Sequence, residues 1–449
     1  TSDGRTLFFR EGTGISKMPL ATRAKAPVRF AVSFAVDKRE EWREMFDEFY
    51  RYWKYNYVEE DMHGFDWAAI RRRYEPLVDK IGQTEDFYML GAEMLNELNS
   101  SHSGITAPAD PDPDAAAGGG GRGGRGGGAT GAIPPNRTQF IGMELTPDAR
   151  GLRIAYIYKD GPADKPWLNV KTGEYVVAIN GTKLSPTANF WKLLTGPLNE
   201  YVTVSVAPVP DAPAGQQRDL RIRTIASMSN LKYDDWVARN RAYVDSVSGG
   251  KVAYFHMRSM NQPVLDQLKQ EIDQYFYKQG MIIDVRYNGG GNIDMELMDV
   301  LLRKPYEYTW TKTGSPVWGR RPQQLIAGPQ VMLTNWRSNS NAEMVPHAFK
   351  ELKLGTVVGT PTNGAVVSAP NFPFLDGGSV RIPTTRVVSY DPTKPNNFGY
   401  NLENYGVPPN IFVKSSPADE IKGLDRELLA AVQEALRLLA GGKWQNAMD

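Results

Sequence analysis

The spacing of apolar residues changes character twice along this chain. Trp42, Met45, Phe46, Phe49 and Trp53 fall at helical spacing, and Trp67, Ile70, Tyr74, Leu77 and Ile81 do the same, so each set predicts a helix with one buried stripe. A third helix is expected from Asp86 to Leu98. Aromatic residues at this spacing form core. Beyond residue 137 the helical period gives way to short β-type runs, among them a pair closed by Asn180-Gly181, a tight hairpin signal. From about residue 233 strands alternate with helices. Leu265, Leu268, Ile272 and Phe276 stripe one helix between Pro263 and Gly280, and Leu424, Leu428, Val432, Ala435 and Leu439 stripe the last. Alternation of this kind predicts an α/β domain, and the chain as a whole reads as multidomain α+β.

Two segments interrupt the pattern. Residues 107–136 run from Pro-Asp-Pro-Asp into Ala, Gly and Arg repeats that cannot bury enough apolar area to offset ordering, which predicts a flexible linker. Arg122 and Arg125 lie between glycines as in RNA-binding segments, but two arginines make a weak signal. At the start, Asp3-Gly4 predicts a turn leading into a strand. With 449 residues, 41% of them hydrophobic, the chain can bury more than one core, about two to four domains. A net charge of +1 supplies no long-range field for nucleic acid or an anionic membrane, and no apolar run is long enough to span a bilayer. The absence of cysteine excludes disulfides, thiol catalysis and cysteine metal sites, and leaves the redox compartment open.

Candidate chemistry sits at two strand-to-helix turns. Met332-Leu333-Thr334 runs through a polar turn into Ser340-Asn341-Ala342-Glu343 and a helix, where a serine Oγ would stand beside unpaired N-H groups and the positive end of the helix dipole. The same four residues also make a capping box. The second turn, Asn288-Gly289-Gly290-Gly291-Asn292, follows the apolar run beginning at Met281 and leaves main-chain N-H groups bare. It lacks G-x-G-x-x-G and a following Lys-Ser/Thr, so an oxyanion hole fits better than a nucleotide loop, with close packing as the purely structural reading. A serine nucleophile needs a base, and there are four histidines. His347 lies on the same helix as Ser340, roughly 10 Å along its axis and out of reach. His256 falls in a strand, where a packed or hydrogen-bonded ring is expected, and His63 lies in a charged helix connection. His102 remains, in a small polar loop after a helix.

Taken together, Ser101-His102, the segment from Asp284 to Asn292, Ser340-Asn341-Ala342-Glu343, the segment from Val357 to Gly364 and the segment from Asn401 to Pro409 resemble the tricorn-type branch of the C-terminal-processing serine peptidases. That resemblance implies a serine endopeptidase acting on peptides or unfolded chains with no metal or other cofactor. Ser340 would be the nucleophile and His102 its base. Glu403 would orient the imidazole through Ser101, and the amides of Gly289, Gly290 and Asn341 would bind the oxyanion. The residues alone do not choose Glu403, since Asp391 is an equal candidate. One departure stands out: the residue after the nucleophile is often acidic in this family and here is Asn341. Trp336 is a bulky neighbour that could narrow the cleft.

Phe140-Ile141-Gly142-Met143, Asp160-Gly161-Pro162-Ala163 and the segment from Gly173 to Gly181 resemble a PDZ domain, so the main chain at Ile141, Gly142 and Met143 is expected to hold a peptide carboxylate beside an open strand edge. The implied domains are 1–26, resembling the last blade of a β-propeller; 27–106, a helical bundle carrying the base; 107–136, the linker; 137–232, PDZ-like; and 233–449, a ClpP/crotonase-like α/β catalytic domain. The resemblance also implies a homo-oligomer, a hexamer, and a cytoplasmic setting, with an exported or periplasmic one also open; nucleic acid and membrane are not expected partners. Two rival functions are a catalytically silent PDZ-type peptide-binding scaffold and a crotonase-type acyl-CoA enzyme.

Overall fold

The computed structural model describes residues 1–12, 14–28, 35–108, 137–197, 200–309 and 319–442. The expected linker therefore lies outside the described residues except for its first two positions. A three-stranded antiparallel sheet of Thr6–Glu11, Gly14–Pro19 and Ala26–Pro27 opens the chain after the turn at Gly4.

Helix α1 (Lys38–Asn56) starts at Asp37, whose side chain accepts from the N-H groups of Arg39 and Glu40. It buries the whole expected stripe from Trp42 to Trp53. In α2 (Trp67–Val78) the stripe is displaced at its end: Leu77 is exposed and Val78 is buried, because the helix stops there and Ile81 reaches the core from the following turn. Helix α3 (Thr84–Asn96) completes the layer. These helices share one core with Phe374, Val380 and Ile382 from far along the chain, and the strand Gly104–Thr106 pairs with Ser379–Arg381. The helical segment is thus bonded, immediately beyond His102, to a strand from far along the chain.

The next strands form an antiparallel sheet in the order Arg218–Arg223, Tyr201–Ala207, Tyr175–Ile179, Leu152–Ile157, Met143–Pro147. Asn180 and Gly181 both take left-handed φ and close the hairpin pairing Ile179 with Thr182, as their sequence requires.

The last part is a five-stranded sheet, every neighbouring pair parallel, in the order Val252–His256, Gly280–Asp284, Gln330–Thr334, Gly355–Gly359, Ile411–Phe412. Helices α4 (Ser229–Val247) and α9 (Arg426–Gly441) cover one face, while α5 (Gln262–Gln274), α6 (Asp294–Leu301) and α7 (Asn341–Glu351) cover the other. Between α7 and α9 lies the short α8 (Pro417–Ile421). Gly280–Asp284 and Gln330–Thr334 are buried at every position, as strands covered on both faces must be. They are neighbours, so the turns that follow them meet at the same end of the sheet, where α/β proteins place their sites. Beneath these turns Arg286, 2% exposed, is held by Asp284, Asp425 and Glu427, which ties the second strand to the start of α9. Among the described residues no helix is long and apolar enough to cross a membrane.

Candidate active site

Ser340 caps α7 with φ 54° and ψ −121°, a conformation that L residues other than glycine seldom adopt. Two bonds hold it there: its N-H donates to Ala365 O at 2.8 Å and to Glu343 Oε1 at 3.1 Å. The turn lifts the half-buried side chain away from the strand, and the Asn341 N-H beside it has no hydrogen-bond partner among the described residues.

The glycine turn packs directly against this serine. A Cβ on Gly290 would come within 2.7 Å of Ser340 Cβ, and one on Gly291 within 1.8 Å of Met260 O, so neither position admits a side chain. Gly289 is exposed, meets nothing within 4 Å, and its N-H is also unpartnered among the described residues. The Gly290 N-H differs from the sequence expectation, because it is already donated to Asn288 Oδ1 at 2.8 Å. Of the three amides expected in the oxyanion hole, those of Gly289 and Asn341 are free to donate.

His102 lies in the loop after α3, half-buried, with φ 54°. Its Nδ1 is 2.9 Å from Ser101 Oγ, which leaves Nε2 as the open nitrogen. Glu403, 3% exposed, accepts from the Ser101 N-H through Oε1 at 3.3 Å and from the Val366 N-H through Oε2 at 2.9 Å. Glu403 therefore reaches Ser101 through the main chain. Burial and the cation of Arg381 hold the His102 pKa below the usual histidine value, against the opposing pull of Glu403. No hydrogen bond among the described residues joins the His102 ring to Ser340 directly. They are connected through the loop 364–366, whose Ala365 carbonyl takes the Ser340 N-H and whose Val366 N-H reaches Glu403.

That loop is gripped from the Ser340 side by Glu343, which capping-box logic shows only in part. Beyond the Ser340 N-H, its buried carboxylate accepts from Ala365 N-H at 2.7 Å, Thr362 Oγ1 at 2.6 Å and Gly364 N-H at 2.5 Å. Burial pushes its pKa up, while these four donors pull the other way. A glutamine has one acceptor oxygen, so Glu343→Gln would turn an amide NH2 toward at least one main-chain N-H and leave it unpaired. A loss of about 1–3 kcal/mol in urea unfolding is expected, and a change below about 0.5 kcal/mol would show that the clamp carries little load.

The remaining candidates stand elsewhere. His256 uses both ring nitrogens, Nδ1 with Tyr233 Oη at 2.9 Å and Nε2 with Arg286 O at 3.0 Å. His63 contacts Tyr57 Oη and Leu98 O, and His347 pairs with Glu351 on α7. Asp391 closes its own turn, accepting from the Thr393 N-H and hydroxyl. In the antiparallel sheet, Ile141 and Met143 are buried, and Gly142 packs against Pro162 so closely that a Cβ would lie 2.5 Å from its Cδ. Only their main chain can serve a peptide there; Met143–Pro147 is the edge strand of that sheet. Among the described residues no group of three or more His, Asp or Glu side chains is arranged to hold a metal.

Three family models match successive parts of the chain: the tricorn protease C1 domain over 38–96, the tricorn protease PDZ domain over 149–227 and peptidase family S41 over 251–413. Tricorn protease homolog 1 of Streptomyces coelicolor is 29% identical over 409 residues, covering 90% of this chain and 36% of that protein. The tricorn protease homolog of Saccharolobus solfataricus is 26% identical over 423 residues, covering 91% and 36%. The chain thus spans little more than a third of the length of these relatives. The crystal structure of the tricorn protease superposes with a TM-score of 0.79 at 23% identity, over 98% of this chain and 41% of the other, so the two share a fold. The chain has the domain series of the tricorn-type branch: helical region, PDZ domain and S41 peptidase domain.

Proposed function

We propose that this tricorn-type chain, with its S41 peptidase domain, is a serine endopeptidase acting on oligopeptides or unfolded polypeptides. The observation that carries the reading is the bonded path from Ser340 through Ala365 and Val366 to Glu403, Ser101 and His102, with the free N-H of Asn341 next in the chain and that of Gly289 in the glycine turn packed against the serine. Ser340 Oγ attacks the scissile carbonyl as His102 Nε2 takes its proton. The Gly289 and Asn341 amides stabilise the tetrahedral oxyanion, and His102 returns the proton to the leaving amine. Ser101 Oγ holds Nδ1, and the Glu403 carboxylate favours the imidazolium that forms. Water then releases the acyl group by the same steps in reverse order. From the likeness to tricorn-type chains we also infer a homohexamer in the cytoplasm.

Digestion of an unfolded protein and of its folded form, with products identified by mass spectrometry, tests the activity. Internal fragments from the unfolded chain alone are expected. Tight peptide binding without any product would favour the silent scaffold, and thioester turnover would favour the acyl-CoA enzyme.

A further inference from the structure

We propose that Asn288 is a positioning residue that sets the oxyanion pocket by locking the glycine turn to the nucleophile turn. The inference rests on the reading of Ser340 as nucleophile. Asn288 is 0% exposed and bonds to three loops at once. Its Oδ1 accepts the Gly290 N-H at 2.8 Å, its Nδ2 donates to Met257 O at 2.8 Å, and its carbonyl accepts the N-H of Asn339, the residue before Ser340, at 2.9 Å. The Gly290 carbonyl is held from the other side by the Met260 N-H at 2.9 Å, and Met260 O takes the Asn292 N-H at 2.8 Å. Segment 257–260, which follows the first parallel strand, is thereby a cradle for the glycine turn, and the Asn288 amide fastens the turn into it.

The consequence is directional. The Gly290 N-H is committed to Asn288 while that of the exposed Gly289 has no partner among the described residues, and the space a Cβ on Gly290 would take is filled by Ser340 Cβ at 2.7 Å and the Asn341 N at 3.2 Å. The separation of the two proposed oxyanion donors is therefore set through Gly290, and Gly290 is set by Asn288. The job needs one acceptor and one donor on a single short planar group, facing an N-H and a carbonyl. Asparagine alone offers that at this length. An aspartate would keep the acceptor for Gly290 and point a second oxygen at Met257 O, which is repulsive unless the carboxyl is protonated. Burial beside a carbonyl raises the pKa of such a carboxyl.

Asn288→Asp is the test, read against the unaltered protein at each pH. At neutral pH, kcat should fall about 10²- to 10³-fold, the usual cost of a lost oxyanion donor. Affinity for a peptidyl boronate, whose tetrahedral adduct occupies the pocket, should fall by a similar factor. Peptide Kd, measured with Ser340→Ala also present, should stay within a few-fold of the Ser340→Ala single variant. The ratio of variant to unaltered kcat should climb as pH falls, because protonation restores the donor to Met257 O. A folded variant with kcat within a few-fold of the unaltered protein, a ratio flat with pH, or a loss of peptide affinity equal to the loss of kcat would each overturn the proposal. If the variant does not fold, residue-resolved amide hydrogen exchange on the unaltered protein decides. Gly290 should be protected in the free protein and Gly289 only once the boronate adduct forms; equal exchange at the two before adduct formation would refute the inference. Absence of any boronate adduct on the unaltered protein would instead defeat the peptidase reading on which it rests.

Discussion

Replacing Ser340 by alanine is expected to lower peptide hydrolysis on the order of 10⁴- to 10⁶-fold while leaving the fold intact. The two effects separate because of how the residue is held. Its main-chain N-H makes the bonds to Ala365 and Glu343, and both survive the substitution. What Oγ gives up is its half of the capping box with the Glu343 N-H, so the stability loss should be that of one helix cap, about 1 kcal/mol. Ser340→Gly should be equally inactive, yet it relieves a positive φ at a non-glycine residue and should be more stable than Ser340→Ala by about 1 kcal/mol. Thermal unfolding and a peptide assay on the two variants are sufficient. A Ser340→Ala protein that keeps activity within a few-fold would end the assignment of the nucleophile.

Loss of His102 should be as severe, and the pH profile reports how the ring is tuned. Because burial and Arg381 outweigh Glu403, the acidic limb of kcat/KM should lie below the unperturbed histidine value of about 6.5. The sign of each contribution can be isolated. Glu403→Gln removes the charge that favours the imidazolium, so the rate should fall and the limb should move to still lower pH. Arg381→Gln removes a repelling cation, so the limb should move up toward 6.5. His102→Ala should abolish activity at every pH, whereas His256→Ala, with both ring nitrogens committed elsewhere, should affect stability and leave the limb where it was. Limbs that shift in the reverse directions would mean that another group titrates.

What could be read from the sequence was what depends on neighbours in sequence. The stripe from Trp42 to Trp53 has a helical period, Asn180-Gly181 has the φ preferences of a hairpin turn, and Ser340 to Glu343 marks a helix start; each is a property of a few adjacent residues. Helix ends were less legible, as Leu77 and Val78 show, because the stop of α2 depends on what its last turn packs against. The contacts that build the site are of another kind. Glu403 and Asp391 look alike in a loop, and only the fold brings one of them to Ser101, 302 residues away in the chain, while the other closes a turn of its own. Glu343 could be seen as half of a cap but not as the clamp on a loop some twenty residues further on. Asn288 was hidden beside three glycines, since nothing local says that its amide would face Met257. The pairing of the parallel strands brings Asn288 to Met257, the antiparallel pairing of Gly104–Thr106 with Ser379–Arg381 holds the Ser101 loop against the later part of the chain, and strand pairing is a long-range property.

In the proposed mechanism Ser340 is a nucleophile made reactive by His102. Labelling with a serine-directed fluorophosphonate, followed by mass-spectrometric mapping of the adduct, tests it most directly. One adduct is expected, on Ser340, formed rapidly in the unaltered protein, more slowly in Glu403→Gln and not detectably in His102→Ala. An adduct on a different serine, or labelling of Ser340 at an undiminished rate without His102, would contradict it.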